Sequence, residues 1–463
     1  MSKTRLTIHS PYNQEDLGTL STMDWPFVAE KISLAQTAYQ NRDKWLPVHE
    51  RVGILERTAR LMVKHHSSLA MQIAKEGGKP LKDALVEVTR AIDGVRLAEE
   101  CIRSESGHVI PMNGTVAGSS KMAMTQKEPI GVVVAVSAFN HPLNLIVHQV
   151  ASAVAAGCPV LVKPAADTPL SCRSFVDLLI EAGLPEVWCQ CIIPLDLSVA
   201  ERLVTDSRVS FFSFIGSANV GWKLRSKLAP GTRCSLEHGG AAPVILHDSS
   251  NLQSSVDSIT KGGFYHAGQV CVSVQRVYVH EALANDFIHL FNTATAALTV
   301  GDPTCIETDV GPLIREAEVQ RVDSWVQEAI ALGAECICGG SRIGNQCYAP
   351  TILLNPSAEA TVSKQEIFGP VVCVYTYSSL EDAIQQANAL PFAFQAAVFT
   401  DSLDIAMHCY KHLDASAVMV NDHSAFRVDN MPFAGLKLSG LGVGGIQHTI
   451  NDMQIEKMLV LSI

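Results

Sequence analysis

Apolar side chains recur at three- and four-residue spacing through the first hundred residues, the period that gathers them on one helix face. That spacing predicts helices over 27–39, 48–70 and 84–98, with Gly77-Gly78-Lys79-Pro80 as a break. Residues 1–105 therefore read as mostly helical. Between 104 and 128 the residues turn small and polar, and alternation in the second half predicts an exposed strand pair. From 130 to 246 the pattern changes again. Apolar runs GVVVAVSA, PVLVKP, VWCQCIIP, VSFFSFIG and the short TRCSLE alternate with helical spans at 142–156, 171–182, 198–205 and 220–228. This is the signature of a parallel sheet covered on both faces. Further on, APVILHD, VCVSVQRVYVH, VVCVYTY, AAVFT and SAVMVND, with helical spans such as 316–331 and 380–389, predict a second parallel sheet.

Ligands of such sheets bind outside the carboxyl ends of the strands. Four ends of the first sheet carry chemistry: Asn140, Lys163, Gly216-Ser217 and Glu237. Packing alone does not account for that convergence. Gly216 and Ser217 close a strand and open a helix, so their N–H groups and the Ser217 hydroxyl can receive a pyrophosphate oxygen. Lys163 can reach a ribose or a phosphate, although taken singly it also describes a solvated strand terminus. A G-x-G-x-x-G pattern at Gly440, Gly442 and Gly445 is rejected, because no βαβ unit has room to follow it.

The stretch KGGFYHAGQVCVSVQ, residues 261–275, bends at Ala267-Gly268-Gln269 and is expected to deliver Cys271 directly into an apolar, strand-like run. A thiolate there can attack carbonyl carbon. Cys271 is equally describable as a small buried hydrophobe. A thiol hydrolase would need a histidine partner, and His266 is the nearest one. The readings stand side by side on these residues alone.

A chain of 463 residues calls for two or more domains. With 47% hydrophobic and 17% charged residues it buries much surface, which favours an oligomer. A net charge of −11 with scattered Lys and Arg gives no footprint for nucleic acid. Thirteen cysteines without zinc-type spacing argue against a disulfide framework and a structural metal. The close pairs Cys189/Cys191 and Cys336/Cys338 fit packing on one strand face. No apolar run reaches membrane-spanning length, and a reducing cytoplasm is expected.

Taken together, EPIGVVVAVSAFNHP, LVKPAADTP, FIGSANVG, LEHGGAAPVI, GQVC, GDP with GPLI, EIFGPV and MPFAGLKLSGLG, in this order and spacing, closely resemble the NAD(P)-dependent aldehyde dehydrogenase superfamily. The resemblance implies an α/β protein with a Rossmann-like coenzyme domain (1–105 and 129–239), an α/β catalytic domain (240–440) and a small β oligomerisation arm (106–128 and 441–463). It implies Cys271 as nucleophile, Glu237 as general base and Asn140 as oxyanion donor together with the Cys271 N–H. NAD or NADP would accept hydride, held by Lys163, Gly216, Ser217, Glu366, Phe368, Ala138 and Phe139. Each role is chemically sensible, since thiolate attack creates an oxyanion that needs donors and the thioester needs an activated water. The partners implied are a small-molecule aldehyde and further copies of the chain, as homodimer or homotetramer, with no metal.

Two departures from the family pattern matter. The usual ELGGK is Glu237-His238-Gly239-Gly240-Ala241, and the usual acid three places after the motif lysine is Ala166. The latter leaves NADP tolerated. NDHSAFRVDNMPF, 421–433, and His141 look like the branch with lactaldehyde and phosphonoacetaldehyde dehydrogenases. That branch implies a small anionic or hydroxylated aldehyde, with Arg427 recognising charge, Arg90 assisting and His141 nearby. Arg427 also fits a salt bridge with Asp429 or Asp422. The rivals are a CoA-acylating dehydrogenase, which can dispense with Glu237, and a non-catalytic member, which would be expected to lose Cys271 or Glu237.

Overall fold

The structure, a computed structural model, describes residues 4–463. Its first large sheet has six strands in the order Gly440–Leu441, Arg233–Glu237, Val209–Ile215, Val132–Val136, Val160–Lys163 and Cys189–Cys191. All neighbours run parallel except Gly440–Leu441, which pairs antiparallel with Arg233–Glu237. The chain lays down Val132–Val136 first, moves outward through Val160–Lys163 to Cys189–Cys191, then returns to the other side of Val132–Val136. A crevice opens where the order reverses.

Every residue of Val132–Val136 is buried, and the β-branched run has two faces to cover. Val133 and Ala135 pack with the helices Val48–Lys64, Leu81–Arg103 and Asn144–Ala156. Val132, Val134 and Val136 meet Val28, Ile32 and Ala35 of Trp25–Gln40 on the opposite side. The period of two thus feeds two separate cores.

The second sheet has seven strands in the order Glu335–Cys338, Thr351–Leu354, Val371–Tyr377, Val274–His280, Ala242–Leu246, Gln395–Phe399 and Ala417–Val420. Only the edge strand Glu335–Cys338 is antiparallel. A third sheet joins Gln454–Ser462 to Lys121–Pro129, which also pairs with the short Val109–Ile110.

Several expectations need correction. The span 48–70 is two helices, Val48–Lys64 and His66–Gly77, separated at His65. Neither glycine nor proline marks that break, so periodicity could not expose it. The first residues form a hairpin, Arg5–His9 with Asp16–Ser21, instead of helix. Within 104–128 one long strand takes its main partner from the distant tail, because local residues supply only the two-residue Val109–Ile110. Two strands of the second sheet, Glu335–Cys338 and Thr351–Leu354, are too short to stand out as periodic runs.

Candidate active site

The two large sheets face a common cleft of about 720 Å³, lined by Asn140, Lys163, Gly216 and Glu237 from one side and by Cys271, Glu366, Phe368 and Arg427 from the other. That volume suits a sizeable small-molecule ligand.

Cys271 is brought there by an unusual turn. His266, Ala267 and Gly268 all have left-handed backbone, with φ of 48°, 54° and 68°. A side chain at Gly268 would meet the Gly369 carbonyl oxygen at 2.1 Å, so only glycine fits. Gln269 anchors the residues after the turn, its Oε1 accepting from the Ile314 N–H at 3.0 Å and its Nε2 donating to the Pro312 carbonyl at 3.3 Å. Strain held by such anchors is typical of functional turns. Cys271 itself lies in a turn and not in a strand, which starts only at Val274. The turn leaves its side chain half-buried on the cleft, unlike a packed core cysteine. His266 is no partner for it: its ring is buried, has both nitrogens unpaired and is absent from the cleft lining.

Asn140 is buried, and its Nδ2 donates to the Gln269 carbonyl at 2.9 Å. An amide nitrogen has two hydrogens, so one donor remains. Burial pushes the Glu237 carboxyl up to about 7, opposed by the Arg427 guanidinium. Burial, reinforced by Glu237 and Glu366, pushes the Cys271 thiol well above its usual range. At neutral pH the site therefore holds a protonated thiol beside a carboxyl poised to take a proton.

The helices after the first sheet's strands differ at their N-termini. Glu87 accepts from the N–H groups of Leu143 and Asn144 at the start of Asn144–Ala156. Glu76 accepts from Leu170 and Ser171 at the start of Pro169–Glu181. Asp196 caps Leu197–Thr205. Ala218–Arg225 has no side-chain cap, and Gly216 and Ser217 lead into it along the cleft wall. Three anion positions are filled and the fourth is open. His238, standing where the family pattern has leucine, donates its Nδ1–H to the Gly216 carbonyl at 2.8 Å and packs between Phe214 and Trp222.

Glu366 lies against Gly239, where a side chain would come within 1.7 Å of its Oε1. That oxygen is buried without a partner, and burial raises the carboxyl to about 8. Phe368, at a φ of 48°, stands edge-on to Phe139 at 5.8 Å, and Ala138 lines the same wall. Burial lowers the Lys163 ammonium pKa, opposed by Asp167. The Asp167 carboxylate is bonded by Arg315, with Nε to Oδ1 at 2.8 Å. Ala166 beside it lines the cleft. A dinucleotide fits these donors: a bare helix terminus for phosphate, a lysine, an unpaired carboxyl oxygen for ribose hydroxyls and aromatic edges for a flat ring.

At the other end stand two arginines. Arg90 donates to both oxygens of Asp429, at 2.9 and 3.0 Å, and Asp429 also bonds His148 and Asn144. Burial works against the Asp429 charge, yet His148 and Arg90 hold its carboxyl well below the usual range. Arg427 makes no ion pair among the described residues, so neither Asp429 nor Asp422 is its partner. Its guanidinium lies 3.5 Å above the Phe433 ring, with Nε buried and unpaired. His141 is buried, with burial, Lys79 and Arg90 keeping it neutral, and its Nε2 meets the Tyr265 hydroxyl at 3.3 Å. Tyr265, Phe433 and the Asp429 cluster were not singled out as site residues from the sequence. Tyr265 sits in the same short stretch as Cys271 and could have been.

Two mainly parallel sheets meet at a cleft that joins a thiol, a carboxyl raised to about 7 and an uncapped helix terminus, an arrangement suited to a nucleotide-dependent enzyme. The chain belongs to the aldehyde dehydrogenase family, whose model matches residues 1–459. It is 35% identical over 459 residues to the 3-sulfolactaldehyde dehydrogenase of Priestia aryabhattai, covering 99% of this chain and 95% of that one. Aldehyde dehydrogenase 21 of Physcomitrella patens, solved with its reaction product succinate, superposes with a TM-score of 0.96 at 33% identity, covering 100% and 95% of the two chains. Glyceraldehyde-3-phosphate dehydrogenase of Methanocaldococcus jannaschii, complexed with NADP, gives a TM-score of 0.94 at 31% identity and covers 100% of both.

Proposed function

We propose that this protein oxidises a small anionic or hydroxylated aldehyde to its carboxylic acid, with NAD or NADP as coenzyme. The observation that carries the reading is Arg427, a guanidinium with no carboxylate partner among the described residues, facing the cavity that holds Cys271, Glu237 and Asn140. A planar fork left open suits a carboxylate, sulfonate or phosphate. Named substrates or products of relatives, 3-sulfolactaldehyde and succinate, are anions of this kind.

Cys271 Sγ loses its proton to solvent and adds as the thiolate to the aldehyde carbon, leaving Glu237 ionised. The free hydrogen of Asn140 Nδ2 and the Cys271 N–H stabilise the resulting oxyanion. NAD or NADP held in the cleft would supply the hydride acceptor that oxidation to a thioester on Cys271 requires. Glu237 then takes a proton from water, the hydroxide attacks the thioester, and Cys271 leaves as thiolate. Lys163, Gly216, Ser217, Glu366, Phe368, Ala138 and Phe139 hold the coenzyme, and Arg427, with His141 and Arg90 beside it, orients the substrate. Hydrolysis through Glu237 favours release of a free acid over transfer to a thiol acceptor.

The coenzyme domain is assigned to 1–105 and 129–239 and the catalytic domain to 240–440. The arm, 106–128 with 441–463, joins copies into a dimer or tetramer. Exposed Met458, Leu459 and Val460 on its sheet support that assignment. Thirteen free thiols suit a reducing cytoplasm.

Coenzyme reduction, followed by absorbance with succinic semialdehyde and with butanal, tests the activity. The anion is expected to have a kcat/KM about 10- to 100-fold higher, the worth of a charge-assisted contact. A preference for long neutral aldehydes would defeat the substrate reading.

A further inference from the structure

The pair Lys79 and Glu87 is buried completely, and nothing in the proposed chemistry uses it. Glu87 Oε2 bonds the Lys79 ammonium. Glu87 Oε1 accepts from the N–H groups of Leu143 and Asn144 at 3.0 and 3.1 Å. These are first-turn donors of Asn144–Ala156, and no local side chain caps them. The N-cap residue, Leu143, has no side-chain oxygen to offer them, and residues 138–141 before it line the cleft. The cap therefore comes from a helix far away in sequence, Leu81–Arg103.

The same pair reaches the other wall. Lys79 Nζ lies 5.8 Å from the Tyr265 ring centroid, and the Tyr265 hydroxyl meets His141, the residue after Asn140. Gly78, next to Lys79, packs its carbonyl on Gly311, where a side chain would come within 2.1 Å of it. Pro312 alongside accepts from the Gln269 side chain, whose main-chain carbonyl receives Asn140 Nδ2. One buried ion pair is thus tied to both ends of the Asn140 hydrogen bond. A buried ion pair is a poor source of stability compared with apolar packing of the same volume. Its worth here is placement.

We infer that Glu87, held by Lys79, is a positioning residue for Asn140: by capping the next helix in the chain, it sets where the remaining amide hydrogen points. The inference rests on the oxyanion role given to Asn140 under the proposed function. A misplacement of about 1 Å at such a donor costs on the order of 10²-fold in rate.

A double-mutant cycle separates positioning from scaffolding. Lys79→Met/Glu87→Gln removes both charges and keeps an amide oxygen as acceptor. Lys79→Met/Glu87→Leu removes the acceptor as well. Each is made with Asn140 present and with Asn140→Ala, and the single-turnover rate of coenzyme reduction is read together with coenzyme Kd and Tm. With Asn140 present, the Leu variant should be slower by about 10²-fold than the Gln variant, with coenzyme Kd unchanged. In the Asn140→Ala background the two should differ by less than about threefold. Equal Leu and Gln rates, or the same loss in both backgrounds, would overturn the inference. If the Leu variant does not fold, Glu87→Asp withdraws the carboxylate by one methylene, and the same non-additivity with Asn140→Ala is required. An active wild type with additive losses defeats the positioning role alone. A wild type that oxidises no aldehyde defeats the activity and this role together.

Discussion

One end of the cleft sets a bare helix terminus beside Lys163 and Glu366, and the other sets two arginines. At the coenzyme end, Gly216 and Ser217 offer N–H groups, and the carboxylate beside Ala166 is already committed to Arg315. At the substrate end, Arg90 and Arg427 face the same cavity but differ in what holds them. Arg90 is locked by Asp429, while Arg427 rests on the Phe433 face with no carboxylate. A dinucleotide has the same phosphates and riboses whatever the reaction, so one fixed set of backbone donors with Lys163 and Glu366 suits it. An aldehyde differs in its tail, and a free guanidinium on a loop can be matched to that tail.

The contrast can be broken from either side. Cys271→Ala should abolish aldehyde oxidation while leaving coenzyme Kd unchanged, since the residues assigned to the coenzyme lie on other segments. A variant that retains a near-wild-type rate would remove the covalent mechanism. Arg427→Ala should cost an anionic aldehyde about 1.5 to 3 kcal/mol in kcat/KM and a neutral one much less. Equal losses would leave Arg427 as scaffold.

The same variant carries a pH signature. Glu237 works as base only when ionised, so activity limited by hydrolysis should rise with pH and level off above about 7. Arg427 favours the ionised form, and its removal should move that limb to higher pH. An unmoved limb would uncouple the two residues. The smallest effect is expected at the coenzyme end. Wild type should accept NADP, and Ala166→Glu should weaken NADP relative to NAD by repelling its 2′-phosphate. Outright rejection of NADP by wild type, or an unchanged ratio, would contradict that reading.

Legibility in the sequence divides the same way. Asn140, Lys163, Gly216 and Glu237 stand at strand ends, and strands announce themselves by local alternation. The substrate end depends on contacts across the whole chain. Asp429 looked like a neighbour for Arg427, yet its partner is Arg90, 339 residues away. The Glu76 and Glu87 caps also reach across the chain, to Leu170 over 94 residues and to Leu143 over 56. The rejected glycine pattern also has a use that only folding reveals: its first member, Gly440, pairs with Glu237 at the sheet edge, and Gly444, which is not one of its three glycines, lies 3.2 Å from the Glu237 carboxylate, measured from where a side chain would start. His65 splits a helix with no local punctuation at all.

The central claim is that Cys271 carries the acyl group and Glu237 releases it. Glu237→Gln keeps the shape and removes the base, so turnover should fall roughly 10²- to 10⁴-fold while the first oxidation persists. Mixing this variant with succinic semialdehyde and coenzyme, quenching in acid and weighing the peptides tests the claim directly. The account predicts a burst of reduced coenzyme and a succinyl mass on the Cys271 peptide. An unmodified Cys271 peptide after a full burst, or an undiminished steady-state rate, would contradict it.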